Sequence, residues 1–503
     1  MSATTVSWRW CLALVLLCAV PLLYPHTPPL TDLPAHMARF MVQLDAGRSP
    51  DIARWYSFHW NLIPNLGTDL LAQALVPLIG LEPTMKAIAL LIVILQVSGY
   101  LRVAKAAHGL PGGAVPITAL LALPLAYGNP FQYGFLNFTF TVGLAFHALA
   151  FWMDPRLAAR PRLRWAIFVP VGCAIWVSHL AGWAVLCLMT GSVEWMARLD
   201  RTGRPIPALI RAGLACSCLL VPQVLRMVFP EGDPGHLPTE GLFHFDEKLF
   251  LLLNVLADRW QQLDIAFAAV LIGAILTLWV SPRYKLHKGL ALAALVLFTA
   301  FLLLPRRVYG SFYTDMRMAP TMLALAVLAA GPRLDAVKRG LAVPAAAVIA
   351  FLAARLALIG VSMGLWDAQF RADLGVLDRI PYGTQAVTFT AMPCRTFVLQ
   401  GRERRTHLAS FALVRRHAFA NDQFEMPGGQ LITIHNPAAE PFRVDPSTLE
   451  IGEECYGAIP VLDSVAKVPR ATRTMWIIWD VPELPVRGWR VVARSGDSVL
   501  YRR

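Results

Sequence analysis

The residue types able to do chemistry gather in two short stretches. The first is Pro28–Arg39, where Asp32, His36 and Arg39 stand four and then three residues apart. Pro34 fits the first turn of a helix, because its fixed φ suits that position and its missing N–H has no partner there to lose. Such a helix presents all three side chains on one face. A carboxylate there can take a proton from a hydroxyl, with the imidazole beside it as a second proton carrier. The second stretch is Arg306–Arg317, with Arg306, Arg307, Tyr309, Asp315 and Arg317. A guanidinium matches a phosphate with two parallel hydrogen bonds, so these arginines suit a phosphate leaving group. His179 lies in the polar turn Ser178-His179-Leu180-Ala181-Gly182. The site expected from these residues has Asp32 and His36 as catalytic groups and Arg39, His179, Arg306, Arg307, Tyr309, Asp315 and Arg317 as substrate-binding groups.

Each residue also has a plainer role. Asp32 can cap the helix that starts at Leu33. His36 and His179 can be satisfied structural histidines. Arg306 and Arg307 can anchor at an interface by snorkelling. Asp315 and Arg317 can pair with each other. His147, within an apolar run, suits a hydrogen bond to a neighbouring helix.

The elements that must position these groups are membrane spans. Of the 503 residues, 56% are hydrophobic and 15% charged, and the mean hydropathy is +0.52. Repeated long apolar segments of this kind mean a polytopic membrane protein. The net charge of +13 does not imply nucleic acid, because the arginines and lysines cluster between apolar runs, as the positive-inside rule requires. Arg9 before the first run places the N-terminus inside, and the arginines at 156, 160, 162 and 164 mark a cytoplasmic loop. Alternation from there gives about eleven spans, with outer loops at 25–67 and 230–262. Asp32–Ala46 reads as an amphipathic helix lying along the membrane surface. Asp69–Ile79 reads as a short element broken by Pro77, and 165–195 as two helices turning at Ser178–Gly182.

The composition changes near residue 366. Residues 1–365 form the membrane domain, and 366–503 carry more charge and short alternating runs. Ala386–Phe389, Leu431–Ile434, Met475–Trp479 and Val499–Tyr501 read as strands, and His407–Ala420 is helical in period. The expected fold is an α-helical polytopic membrane protein with a C-terminal α/β extracytoplasmic domain. Of the eight cysteines, six lie in apolar runs and behave as small hydrophobes. Cys394 and Cys455 stand in the tail, where an extracytoplasmic setting permits a disulfide. Gly428-Gly429 lacks the lysine of a phosphate loop, and no internal repeat is present.

The sequence resembles the GT-C superfamily of polytopic glycosyltransferases. The likeness rests on Asp32-Leu33-Pro34-Ala35-His36 after the first span, the long first outer loop, Tyr133-Gly134-Phe135-Leu136-Asn137-Phe138, and Tyr313-Thr314-Asp315-Met316-Arg317. It covers residues 1 to about 365. The resemblance implies transfer of a sugar from a polyprenyl-phosphate-linked donor to an acceptor glycan, lipid or protein. It implies a cell-envelope enzyme of the inner membrane, with the N-terminus cytoplasmic, the tail periplasmic, and Asp32 as the general base. The family's signature is often two acids separated by one residue. Here Asp32 is single and Pro34 takes the second place, which leaves a divalent metal ion as cofactor an open question. Two other classes share these features: a secondary transporter or flippase of a lipid-linked substrate, and a non-catalytic membrane assembly protein.

Overall fold

A computed structural model describes residues 5–228, 239–308, 310–333, 345–391, 404–426, 428–443, 450–451, 459–478 and 486–503. Tyr309, Cys394 and Cys455 lie outside the described residues, and so does the proposed bridge. The chain forms two compact units. One comprises Met1–Leu23, Pro64–Thr68 and Ala89–Gly360; the other comprises Tyr24–Ile63, Asp69–Ile88 and Val361–Arg503.

Five helices among the described residues are long and apolar enough to cross a membrane: Leu81–His108, Leu180–Thr202, Pro205–Val228, Gln261–Val280 and Ala345–Arg379. Five shorter apolar helices join them: Trp8–Leu22, Gly67–Ile79, Leu136–Trp152, Lys288–Leu303 and Met318–Leu328. The expectation of about eleven spans counted Pro116–Tyr127 as one of them. That stretch is instead an eleven-residue 3-10 segment, Ile117–Tyr127, buried at every position.

In the first unit, helix starts follow proline placement. Pro161 and Pro205 each open a helix at its first position, where a missing N–H costs nothing. The two helices expected over 165–195 are Pro161–Ser178 and Leu180–Thr202, and they turn at His179. Buried arginines among the apolar helices are ion-paired. Arg355 donates to Asp264 at 2.5 Å. Arg164 reaches both oxygens of Glu194 at 3.2 Å, and Arg198 joins the same carboxylate. Buried charges require such partners. Arg164, assigned from sequence to the loop charge, is therefore part of the helix packing. His147 bonds Ser98 Oγ at 3.0 Å on a neighbouring helix.

The second unit joins the first outer loop to the tail. A four-stranded sheet runs in the order Arg490–Ser495, Ser498–Arg502, Thr474–Ile478, Ala386–Thr390. Its last pair is parallel, with Met475 opposite Val387. One face packs Val387, Phe389, Met475 and Ile477 against Val461 and Val465. A second core brings Ala38, Val42, Trp55 and Tyr56 against Leu413, Phe419, Ile432 and Ile434. Tyr56–Phe58 pairs antiparallel with Ile432–Ile434, and Tyr56 Oη donates to the Ala420 carbonyl at 3.0 Å.

The amphipathic helix is observed as Leu33–Asp45. It does not lie on a lipid surface with one face open. Ten of its thirteen residues are buried, and its apolar face packs on the tail. The alternation that suggests an interfacial helix is equally the pattern of a helix covered by protein.

Candidate functional site

Two clusters emerge, one in each unit. In the second unit, Asp32 is the N-cap residue of the Leu33–Asp45 helix, yet its side chain makes no capping bond. Its role as a simple cap is not realised. Arg39, one turn further on, is 2% exposed and grips both oxygens of Asp69. Gln43 donates to the Asp69 carbonyl at 3.1 Å. His36 Nδ1 lies 3.5 Å from Arg39 Nη2, and the Arg39 guanidinium covers the Phe40 ring at 4.6 Å. His36 and Arg39 meet on one side of the helix, as their spacing predicts. The structure adds that Arg39 is already committed to a buried carboxylate.

Asp32 faces a residue from the tail. His407 Nε2 lies 3.9 Å from Asp32 Oδ1. The opposite ring nitrogen, Nδ1, is 2.9 Å from the Asp422 carbonyl, an oxygen that can only accept. Nδ1 therefore carries the proton, and a neutral ring presents a bare lone pair to Asp32. Burial pulls the imidazole down to about 4, against the opposing pull of the Asp422 carbonyl, so the ring is neutral at physiological pH. The Asp422 carboxyl beside it is pushed up to about 7 by burial, held back by the hydrogen bond from Ser410. The Asp32 side chain is 18% exposed and that of His407 7%, which leaves the acid reachable and the histidine enclosed. Arg404 holds the preceding loop to the same face, donating to the Pro29 carbonyl at 2.6 Å.

A cleft of about 840 Å³ also lies in this unit, with Met41, Glu82, Asp367, Phe370, Phe411 and Arg415 in its wall. Both Glu82 oxygens accept from Arg415, each at 3.0 Å. Asp32, His36 and Arg39 take no part in its lining.

In the first unit, two of the motifs that carry the family resemblance meet. The Tyr133 ring packs on Tyr313 with centroids 5.1 Å apart. The Arg317 guanidinium covers Phe135 at 4.4 Å and donates to Ser311 Oγ at 3.0 Å. Gly134, at φ +88°, closes the short Asn129–Tyr133 helix; a side chain there would be strained. Asn137 accepts from the Thr68 hydroxyl at 2.7 Å and donates to the Asn65 carbonyl at 2.8 Å. Arg306 pairs with Glu247 at 2.8 Å and Arg307 with Glu240 at 3.5 Å. Both acids belong to the second outer loop. Both pairs are partly exposed and weak enough for a phosphate to displace.

His179 caps the Leu180–Thr202 helix, its Nδ1 accepting from the Ala181 and Gly182 amides. Burial and then the Arg317 charge hold it well below its ordinary value, so it stays neutral. Asp315 does not pair with Arg317. Its carboxylate, 1% exposed, accepts from Lys248 and from the Met316 amide at 2.8 Å. Lys248, His407 and Asp422 were not among the expected site residues. Lys248 alone had a signal, as a cation inside the apolar run Phe245–Leu253.

Among the described residues, no three His, Cys, Asp or Glu side chains stand close enough to hold a metal ion.

No family model and no curated protein matches the sequence. Two solved structures are similar. One is ArnT from Cupriavidus metallidurans bound to undecaprenyl phosphate, at 16% identity and TM-score 0.50, covering 98% of this chain and 97% of that one. The other is the same protein in the apo state, at 15% identity and TM-score 0.51, with the same coverage. With its apolar helices and its sheet-bearing C-terminal part, the chain shares the overall fold of that membrane protein.

Proposed function

We propose that the protein is an inner-membrane glycosyltransferase that moves a sugar from a polyprenyl-phosphate-linked donor to an acceptor hydroxyl on the outer face of the membrane. The observation that carries this reading is the likeness, along 98% of the chain, to a protein that binds undecaprenyl phosphate. Three arginines held among aromatic rings support it, since they suit a phosphate at the membrane surface.

In this reading Asp32 accepts the proton of the acceptor hydroxyl. The oxygen attacks the anomeric carbon as the bond from that carbon to the phosphate oxygen breaks. The electron pair leaves with the phosphate, whose added charge calls for cationic partners. Arg39 holds Asp69 and so fixes the helix that carries Asp32 and His36. The acceptor is a glycan, a lipid or a protein.

Native mass spectrometry with added undecaprenyl phosphate tests the donor assignment. The wild type is expected to retain one lipid, and Arg306→Ala/Arg307→Ala to lose it at the same concentration. An adduct that survives the double substitution, or none in the wild type, contradicts the assignment.

A further inference from the structure

The tail supplies more than a covering for the first outer loop. His407 follows Arg404 and Arg405, and each of the three is tied down separately. Arg404 holds the Pro29 carbonyl, Arg405 binds Asp497 at 2.8 Å, and the His407 Nδ1–H donates to the Asp422 carbonyl. The Phe424 ring packs 5.7 Å from the imidazole. Ser410 donates to Asp422 Oδ2 at 2.8 Å and accepts from Gln423 at 2.7 Å. The ring is therefore fixed in tautomer and in direction, with Nε2 aimed at Asp32.

We propose that His407 is a positioning residue for Asp32, its bare Nε2 accepting the hydrogen bond of the carboxyl once Asp32 has taken up a proton. The inference rests on the reading of Asp32 as the base. Two acceptors 3.9 Å apart attract only when one of them gains a proton. The acceptor hydroxyl loses its proton to an Asp32 oxygen, and that O–H then donates to His407 Nε2. Turning the carboxyl closes the gap by about 1 Å to an ordinary hydrogen bond. A hydrogen bond to the neutral acid favours proton uptake, so His407 makes Asp32 the stronger base without leaving its neutral state. The titratable and permanently charged groups on the elements that carry the pair are His36 and Arg39 on the same helix, Asp69 held by Arg39, and Arg404, Arg405 and Asp422 from the tail. Of these, Arg39 is neutralised by Asp69 and Arg405 by Asp497.

The test is ¹⁵N NMR of histidine-labelled full-length protein in nanodiscs, with the His407 signals assigned by their loss in His407→Phe. The expected result is an Nδ1–H tautomer with an unprotonated Nε2. On lowering pH the Nε2 signal should show a small step of hydrogen-bond size as Asp32 takes up its proton, distinct from the large shift of the ring's own protonation near 4, and Asp32→Asn should abolish the small step alone. An Nε2–H tautomer, or a small step that survives Asp32→Asn, overturns the inference. Turnover of a polyprenyl-phosphate-sugar by Asp32→Asn is scored separately. Full turnover removes the base reading, even where the Asp32–His407 coupling is seen. Lost turnover with no coupling removes His407 alone.

Discussion

Exchanging the Arg39–Asp69 pair for apolar residues separates its structural role from any role in binding. Asp69 is fully buried and Arg39 nearly so, and the guanidinium meets both carboxylate oxygens. Removing either partner strands the other charge away from water, at a cost of about 3–5 kcal/mol. For a unit of this size that lowers the melting midpoint by roughly 6–20 °C, at 2–4 °C per kcal/mol. Asp69→Leu and Arg39→Met should each show this loss. The double substitution should recover most of it, because an apolar pair of similar volume leaves no charge unpaired. Tryptophan fluorescence melts of nanodisc-reconstituted protein measure all four corners of the cycle. Single variants that melt within about 1 kcal/mol of the wild type would refute the reasoning, since surface pairs behave so. If Arg39 also touches substrate, the double variant will melt normally and still bind donor or acceptor more weakly.

Two further outcomes follow from the same physics. Lys248→Met should destabilise the first unit by about 3–5 kcal/mol, since it leaves the Asp315 carboxylate buried without its cation; an unchanged melt contradicts this. The tail should show opposing pH slopes. Asp422 keeps its proton in the folded state up to about 7, against an ordinary 3.8, so its contribution to stability is lost as pH rises through that window. His407, pulled from 6.5 down to about 4, contributes stability that is lost as pH falls through about 4. Melts of Asp422→Asn should therefore gain stability on raising pH from 4 to 6.5, and those of His407→Phe should lose it on raising pH toward 7. Parallel profiles for the two variants contradict the assignment.

Much of the fold is legible in the sequence because its signals are local. The paired helices around His179 follow from apolar length and the polar turn between them. The strands at Ala386–Thr390, Ile432–Ile434, Thr474–Ile478 and Ser498–Arg502 follow from β-branched and aromatic runs. Asp32, His36 and Arg39 follow from spacing on one helix. Pairing across the chain is not local and leaves no such mark. Nothing in the sequence joins Asp32 to His407, Tyr56 to Ile434, or Lys248 to Asp315. The cover over the Leu33–Asp45 helix leaves no local mark either, since its apolar face fits lipid and protein alike. The meeting of Tyr133 with Tyr313, and of Arg317 with Phe135, appears only when the two motifs are seen folded together.

The most direct test of the central claim is release of polyprenyl phosphate from purified polyprenyl-phosphate-sugar donors by wild type and Asp32→Asn in nanodiscs containing an acceptor lipid extract. The account predicts turnover by the wild type and a loss on the order of 10²–10⁴-fold in the variant, with an unchanged melting midpoint. Equal turnover by the two proteins would contradict it.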